Sequence, residues 1–186
     1  MQKNIKQQLR HEYLKKLKNL DSKQKTEWDE SIFQQFTSSK YFFESRAIAL
    51  YYALPYEVDT LKLIKFLLEN KKKIALPRMV EKKLVFYYIK SLDDVVKNNQ
   101  CQIYQPRNTN QVAKVGDLDL IILPLIGFNQ KHYRLGHGQG YYDWFLHNPE
   151  LRAFKLALAY QIQEISLDYF FVDEWDVPFN VLITNK

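Results

Sequence analysis

Cysteine is nearly missing from this chain: Cys101 is the single one in 186 residues. One thiol cannot build an internal disulfide framework, and such scarcity fits a reducing compartment. Long apolar runs are missing too. No stretch reaches the length that spans a bilayer, and residues 1–18, MQKNIKQQLRHEYLKKLK, lack the apolar core of a secretory signal. These absences point to a cytoplasmic protein with no membrane partner. Acidic residues are outnumbered, 21 Asp and Glu against 27 Lys and Arg, for a formal charge of +6. Such an excess suits a lysine-rich solvated surface, an acidic small-molecule partner or nucleic acid. No zinc-knuckle, RNP-type or helix-turn-helix pattern supports the last, so nucleic acid is not expected as a partner.

Glycine is also scarce, which makes its placement informative. Three of the five glycines fall within five residues, in the run Arg134-Leu135-Gly136-His137-Gly138-Gln139-Gly140-Tyr141-Tyr142-Asp143. Without a Cβ, glycine permits close approach and positive φ, so clustered backbone N–H groups can face an anion. A helix starting at Tyr141, with Tyr142, Phe145 and Leu146 as its apolar positions, adds its dipole to the same end. The run reads as a phosphate cradle with Arg134 as a fixed cation and Asp143 as a candidate magnesium ligand. It lacks the Gly-Lys-Ser/Thr ending of a P-loop and is not Gly-x-Gly-x-x-Gly. On spacing alone, a glycine-rich loop that merely turns the chain competes with the phosphate reading.

What is present suffices for one sizeable core, with 46% hydrophobic and 15% aromatic residues. Residues 4–20 carry Ile5, Leu9, Tyr13, Leu17 and Leu20 at helical spacing. Lys6 and Arg10 lie four apart on that helix, where two cations can grip a polyphosphate or simply face water. Asp21 and Gln24 open a second helix running to about Phe36, with Trp28, Ile32, Phe33 and Phe36 inward. Residues 46–54 form an apolar run suited to a strand buried on both faces. A helix follows from Leu61, with Ile64, Leu67 and Leu68 inward. Strands are expected at 73–78, 84–89, 118–125, 156–160 and 181–184, with a helix cap at Ser91 and Asp94 and a polar loop over 98–116. Strands alternating with helices predict an α/β fold over residues 1–186: one three-layer α/β/α domain with a mainly parallel sheet. Ligands of such sheets sit beyond the carboxyl ends of the strands, and Glu57 follows one of them.

From Asp119 to Leu146 the chain reads DLIILPLIGFNQKHYRLGHGQGYYDWFL. This resembles the signature of the 5-formyltetrahydrofolate cyclo-ligases: a strand ending in proline, a Gly-Phe-Asp-type turn, then Arg-Leu-Gly-x-Gly-x-Gly-Tyr-Tyr-Asp. Lys6-Gln-Gln-Leu-Arg10 is similar to a Lys-x-x-x-Arg that contributes to ATP binding in that family. The resemblance implies an enzyme that uses ATP as co-substrate, with Mg2+, to convert 5-formyltetrahydrofolate to 5,10-methenyltetrahydrofolate. Arg134 and Lys6 are then the catalytic candidates. Lys6, Arg10, Arg134, Leu135, Gly136, His137, Gly138, Gln139, Gly140, Tyr141 and Tyr142 would contact ATP. Tyr52, Glu57, His137, Gly138, Gln139, Gly140 and Tyr141 would contact the folate, and Asp143 and Asp176 the metal. A monomer binding reduced folate and ATP is expected, with a dimer as the alternative. The chain departs from the pattern at Asn129, where aspartate is common, at His137 and Gln139, and at Trp175, which precedes Asp176. Gln105 and Asn180 also replace carboxylates. A folate- or nucleotide-binding protein of the same fold without turnover is the second reading.

Overall fold

The computed structural model describes residues 2–98 and 103–186, with Gln2 and Lys3 by their backbone only; Cys101 lies outside the described residues. Helix α1 spans Gln2–Lys18, followed by α2 (Ser22–Thr37), α3 (Lys40–Glu44) and strand β1 (Ala47–Ala49). Next come α4 (Leu61–Glu69), β2 (Lys73–Val80), β3 (Lys83–Ile89), β4 (Val95–Lys97), β5 (Tyr104–Pro106) and β6 (Leu120–Leu123). The remainder holds β7 (Gly127–Phe128), β8 (Arg134–Leu135), α5 (Tyr141–Leu146), β9 (Phe154–Ala159) and β10 (Val181–Thr184). Helix α2 starts where the sequence places it: the Asp21 carboxylate accepts the Gln24 N–H at 3.0 Å, satisfying one of the orphan donors of the first turn.

The central sheet has six strands in the order β10-β9-β6-β1-β2-β3. Neighbours from β10 to β2 are parallel, and only β3 runs antiparallel, as the second arm of a hairpin with β2. The expected mainly parallel α/β sheet flanked by helices is thus what forms. The chain steps from β1 to β2 in one direction and from β6 to β9 in the other. The gap between β1 and β6 is therefore the switch point at which open α/β sheets leave a crevice.

Alternation along the strands divides two cores. Ile48, Leu50, Leu120, Ile122, Leu156 and Leu158 face α2, α3 and α4, with Phe36, Ile64 and Leu67. On the opposite face lie Ala49, Ala75, Ile121, Leu123, Ala157 and Ala159, under Phe145 and Leu146 of α5 and loop residues such as Phe179. Alanine replaces leucine on that face in several strands, leaving room for α5 and its loops to sit close. Ala157 is fully buried, so Ala157→Leu is expected to cost about 1–3 kcal/mol by overpacking. A lower urea midpoint with an unchanged denaturant slope would show it. A third cluster joins Leu9 and Tyr13 of α1 to Ile126, Leu135, Ile165 and Phe170 beyond the carboxyl ends of the strands.

Three expectations need correction. The strand expected over residues 46–54 spans only Ala47–Ala49, with one more bond from the Leu50 N–H to the Ala75 carbonyl, because Tyr51 to Thr60 form a loop that holds itself together by side-chain bonds. The helix expected at Ser91 is a single 3-10 turn, Leu92–Asp94, with both arms of its capping box made; β-branched Val95 and Val96 then favour β4. The expected loop of 98–116 contains β5, which pairs antiparallel with β4.

Candidate active site

Beyond β1, the loop from Tyr51 to Thr60 is closed from within. The Thr60 hydroxyl donates to the Tyr51 carbonyl at 2.7 Å and accepts the Ala53 N–H at 3.0 Å. Glu57 accepts the Leu54 N–H at 2.8 Å through Oε2. This leaves its other oxygen, in a side chain only 6% exposed, 3.1 Å from His137 Nε2. The expected folate contact Glu57 thus meets the glycine loop across the β1–β6 crevice.

Beyond β6, a short β7–β8 hairpin delivers Arg134 and Leu135. Asn129 shapes its turn: Oδ1 accepts the N–H groups of Lys131 and Tyr133, both at 3.0 Å. A carboxylate oxygen could accept the same two bonds, so this departure from the family pattern keeps the turn. It leaves the Asn129 amide nitrogen buried with no hydrogen-bond partner among the described residues. Leu135 packs into the third cluster, so its side chain is core and only its backbone borders the loop.

From His137 the chain runs exposed to Gly140, which precedes α5 with φ +70°; Gly138 has φ +92°. Arg10 comes from α1 and donates through Nε to the Gly136 carbonyl at 2.8 Å. Its guanidinium lies so close that a Cβ on Gly138 would stand 3.1–3.3 Å from it. Burial lowers the Arg10 pKa, opposed by Asp176 and Asp173. One turn earlier, Lys6 Nζ reaches Asp173 at 2.6 Å and Asp176 at 2.7 Å.

Arg134 is the most enclosed cation of the set, its side chain 3% exposed. Nη1 donates to the Val177 carbonyl at 2.8 Å and Nη2 to Asp143 Oδ1 at 2.7 Å. Burial lowers its pKa, and Asp143 works against that shift; arginine stays charged regardless. Asp143 Oδ1 also accepts the Val177 N–H at 3.3 Å, so Arg134 and Asp143 tie the glycine motif to the segment before β10. Tyr142 has a buried hydroxyl with no hydrogen-bond partner among the described residues. Burial and then Glu57 push its phenol far above the ordinary value, with Arg134 opposing. Tyr141 and Tyr142 pack against the alanine-face core.

Contacts thus join Glu57 with His137, Arg10 with Gly136 and Gly138, Lys6 with Asp176, and Arg134 with Asp143. Gln139 and Gly140 lie between them in the exposed loop. Tyr52 is not drawn in; its ring stacks on Tyr104 at 4.8 Å. Asp173 was missed by sequence reasoning, although the repeat Asp173-Glu-Trp-Asp176 was visible. Among the described residues no cluster of three or more His, Cys, Asp or Glu could hold a metal by itself. Magnesium asks for less, one or two carboxylates with substrate phosphates and water. Asp143 and Asp176 each bond through a single oxygen, leaving Asp143 Oδ2 and Asp176 Oδ1 without a partner among the described residues. No helix of the described residues is long and apolar enough to cross a membrane.

Known proteins resemble this chain in both sequence and fold. A profile of the 5-formyltetrahydrofolate cyclo-ligase family matches residues 2–185. The 5-formyltetrahydrofolate cyclo-ligase of Haemophilus influenzae is 32% identical over 182 residues, covering 95% of this chain and 96% of its own. The solved structure of Aquifex aeolicus 5,10-methenyltetrahydrofolate synthetase superposes with a TM-score of 0.86 at 29% identity, over 98% of this chain and 90% of its own. That of Mycoplasma pneumoniae gives 0.78 at 26% identity, over 97% and 99%. Sequence and architecture agree along the whole chain, and the chain belongs to the 5-formyltetrahydrofolate cyclo-ligase family.

Proposed function

We propose that this chain closes the five-membered ring of 5,10-methenyltetrahydrofolate from 5-formyltetrahydrofolate, with conversion of ATP to ADP and phosphate. The observation that carries the reading is the meeting of Arg10 and Glu57 with the glycine loop beyond the β1–β6 crevice, with Lys6 one turn from Arg10 on Asp173 and Asp176. An unactivated formamide is a poor electrophile, and its oxygen is a poor leaving group. Transfer of the γ-phosphoryl group to that oxygen answers both: the N10 amine attacks the activated carbon, phosphate departs with the oxygen, and the N10 proton leaves with it. Phosphoryl transfer asks a protein mainly for position and neutralised charge. Lys6 and Arg10 supply cations on one helix face, and loop N–H groups supply donors without charge. Arg134 stabilises the loop's geometry through Asp143 and adds positive potential beneath it. Glu57, held by the Leu54 N–H, fixes the folate side. Bound magnesium would be held by Asp143 and Asp176 and would screen the phosphate charges. The working unit is the single domain of residues 1–186, acting as a monomer.

The methenyl product has an extended amidine chromophore that the substrate lacks, so near-ultraviolet absorbance tests the reading. With purified protein, 5-formyltetrahydrofolate and ATP, absorbance should rise only when magnesium is present. Lys6→Ala and Asp143→Asn should each slow the rise by at least about 100-fold, the usual effect of removing one group that stabilises developing charge. A rise unaltered in both variants would overturn the site assignment, and no rise with the native chain would overturn the activity.

A further inference from the structure

Every cation of the candidate phosphate site already has a partner, and the partners differ in kind. Arg10 holds a carbonyl and Arg134 a carboxylate that is itself bonded to backbone. Lys6 is different. It is 8% exposed and faces Asp173 and Asp176 together, one positive charge against two negative ones. Arg10 lies in the field of the same two carboxylates, so in the empty protein they offset both cations of α1 and leave little net attraction for a polyphosphate.

The two carboxylates are not equivalent. Asp176 is 19% exposed in its side chain, and the same oxygen that meets Lys6 also accepts the Asp173 N–H at 2.8 Å. Asp173 is 53% exposed, and its carboxylate touches nothing else among the described residues. Its backbone holds the turn without the side chain, since its carbonyl accepts the Asp176 N–H at 3.0 Å. Water can therefore take over an outgoing Asp173 carboxylate at little cost, whereas the enclosed Lys6 ammonium has to exchange one anion for another. The surrounding segment is also lightly fastened. Phe170 is buried at one end and Val177 is bonded to Arg134 and Asp143 at the other, while Tyr169, Phe171, Val172 and Trp175 between and beside them are exposed.

We propose that Asp173 is an internal competitor for the nucleotide: it holds Lys6 in the empty site and gives way to a phosphate oxygen when ATP or ADP enters. The inference rests on Lys6 being a nucleotide-binding cation, as argued above. Asp173 positions and neutralises Lys6; it does not touch the reacting atoms. In the empty protein it shares the Lys6 ammonium with Asp176, and on binding it makes the site's charge favourable by leaving.

The test is ADP binding by calorimetry in EDTA, so that no metal contributes. Asp173→Asn should bind ADP about two- to fivefold more tightly than the native chain, the range expected when an exposed ion pair stops competing. Asp173→Glu, which keeps the charge, should return to near-native affinity. Lys6→Ala should lose most of the binding. Equal or weaker binding by Asp173→Asn, with Lys6→Ala impaired, would overturn the competitor role and leave the Lys6 assignment standing. Native-like binding by Lys6→Ala would overturn both.

Discussion

Arg134→Ala is expected to lose at least about 100-fold in ring closure and about 3 kcal/mol in folding stability, the low end for breaking a buried ion pair. The low end applies because Asp143 is 28% exposed and can be rehydrated, while Arg134 is not. Removing the guanidinium strands the Val177 carbonyl and leaves the Asp143 carboxylate bonded only to the Val177 N–H. Those bonds join α5 to the segment preceding β10, so the loop above them loses its floor. Arg134→Lys should fall between, since an ammonium offers a point charge where the planar fork makes two directed bonds. Urea denaturation and the near-ultraviolet assay, run below the variant's midpoint, separate the two effects. Lost stability with native turnover would make Arg134 a structural clamp alone.

The second large effect concerns Gly138. Its φ of +92° is a region that alanine rarely adopts, and a Cβ there meets Arg10 Cζ at 3.1 Å, Nε at 3.2 Å and Nη1 at 3.3 Å. The guanidinium cannot simply swing away without giving up its bond to the Gly136 carbonyl. Gly138→Ala should therefore combine about 1–3 kcal/mol of backbone strain with a displaced Arg10, raising KM for ATP roughly tenfold or more. Gly140→Ala, with φ +70° but nothing within 4 Å, should show the strain alone. Gly136→Ala, with no positive φ and open space, should stay within about threefold of native, well below the effect of a strained position. A reversed order would mean that the loop is not shaped around Arg10.

Much of this was legible in the residues, and the reasons are specific. Helix α2 announced itself through Asp21 and its apolar period; β6 and β9 did so through their apolar runs. The glycine spacing pointed to an anion, and the spacing of Lys6 and Arg10 to a shared helix face. Other features lay beyond local pattern. Nothing around Leu50 says that Thr60 and Glu57 will fold the chain back and end β1 early. The pairing of β4 with β5 depends on Val95 and Val96 finding Tyr104 to Pro106, a matter of register between distant segments. Tyr52 is a folate candidate only through the family resemblance, and its stacking on Tyr104, far along the chain, could not be read from local pattern. Asp173 carried no signal of its own because a carboxylate in a turn is ordinary; only the position of Lys6, 167 residues earlier, gives it a part.

That separation has a kinetic meaning. A nascent chain that has released α1 waits on the order of ten to thirty seconds, at ordinary synthesis rates, before Asp173 and Asp176 emerge. Until then Lys6 has neither carboxylate, and Leu9 and Tyr13 lack Ile165 and Phe170, which complete their cluster. Helix α1 is thus made well before the segments that complete its docking. A sticky, positively charged amphipathic helix is on offer to chaperones or to neighbouring polysomes throughout translation. A stalled or truncated chain would keep it there.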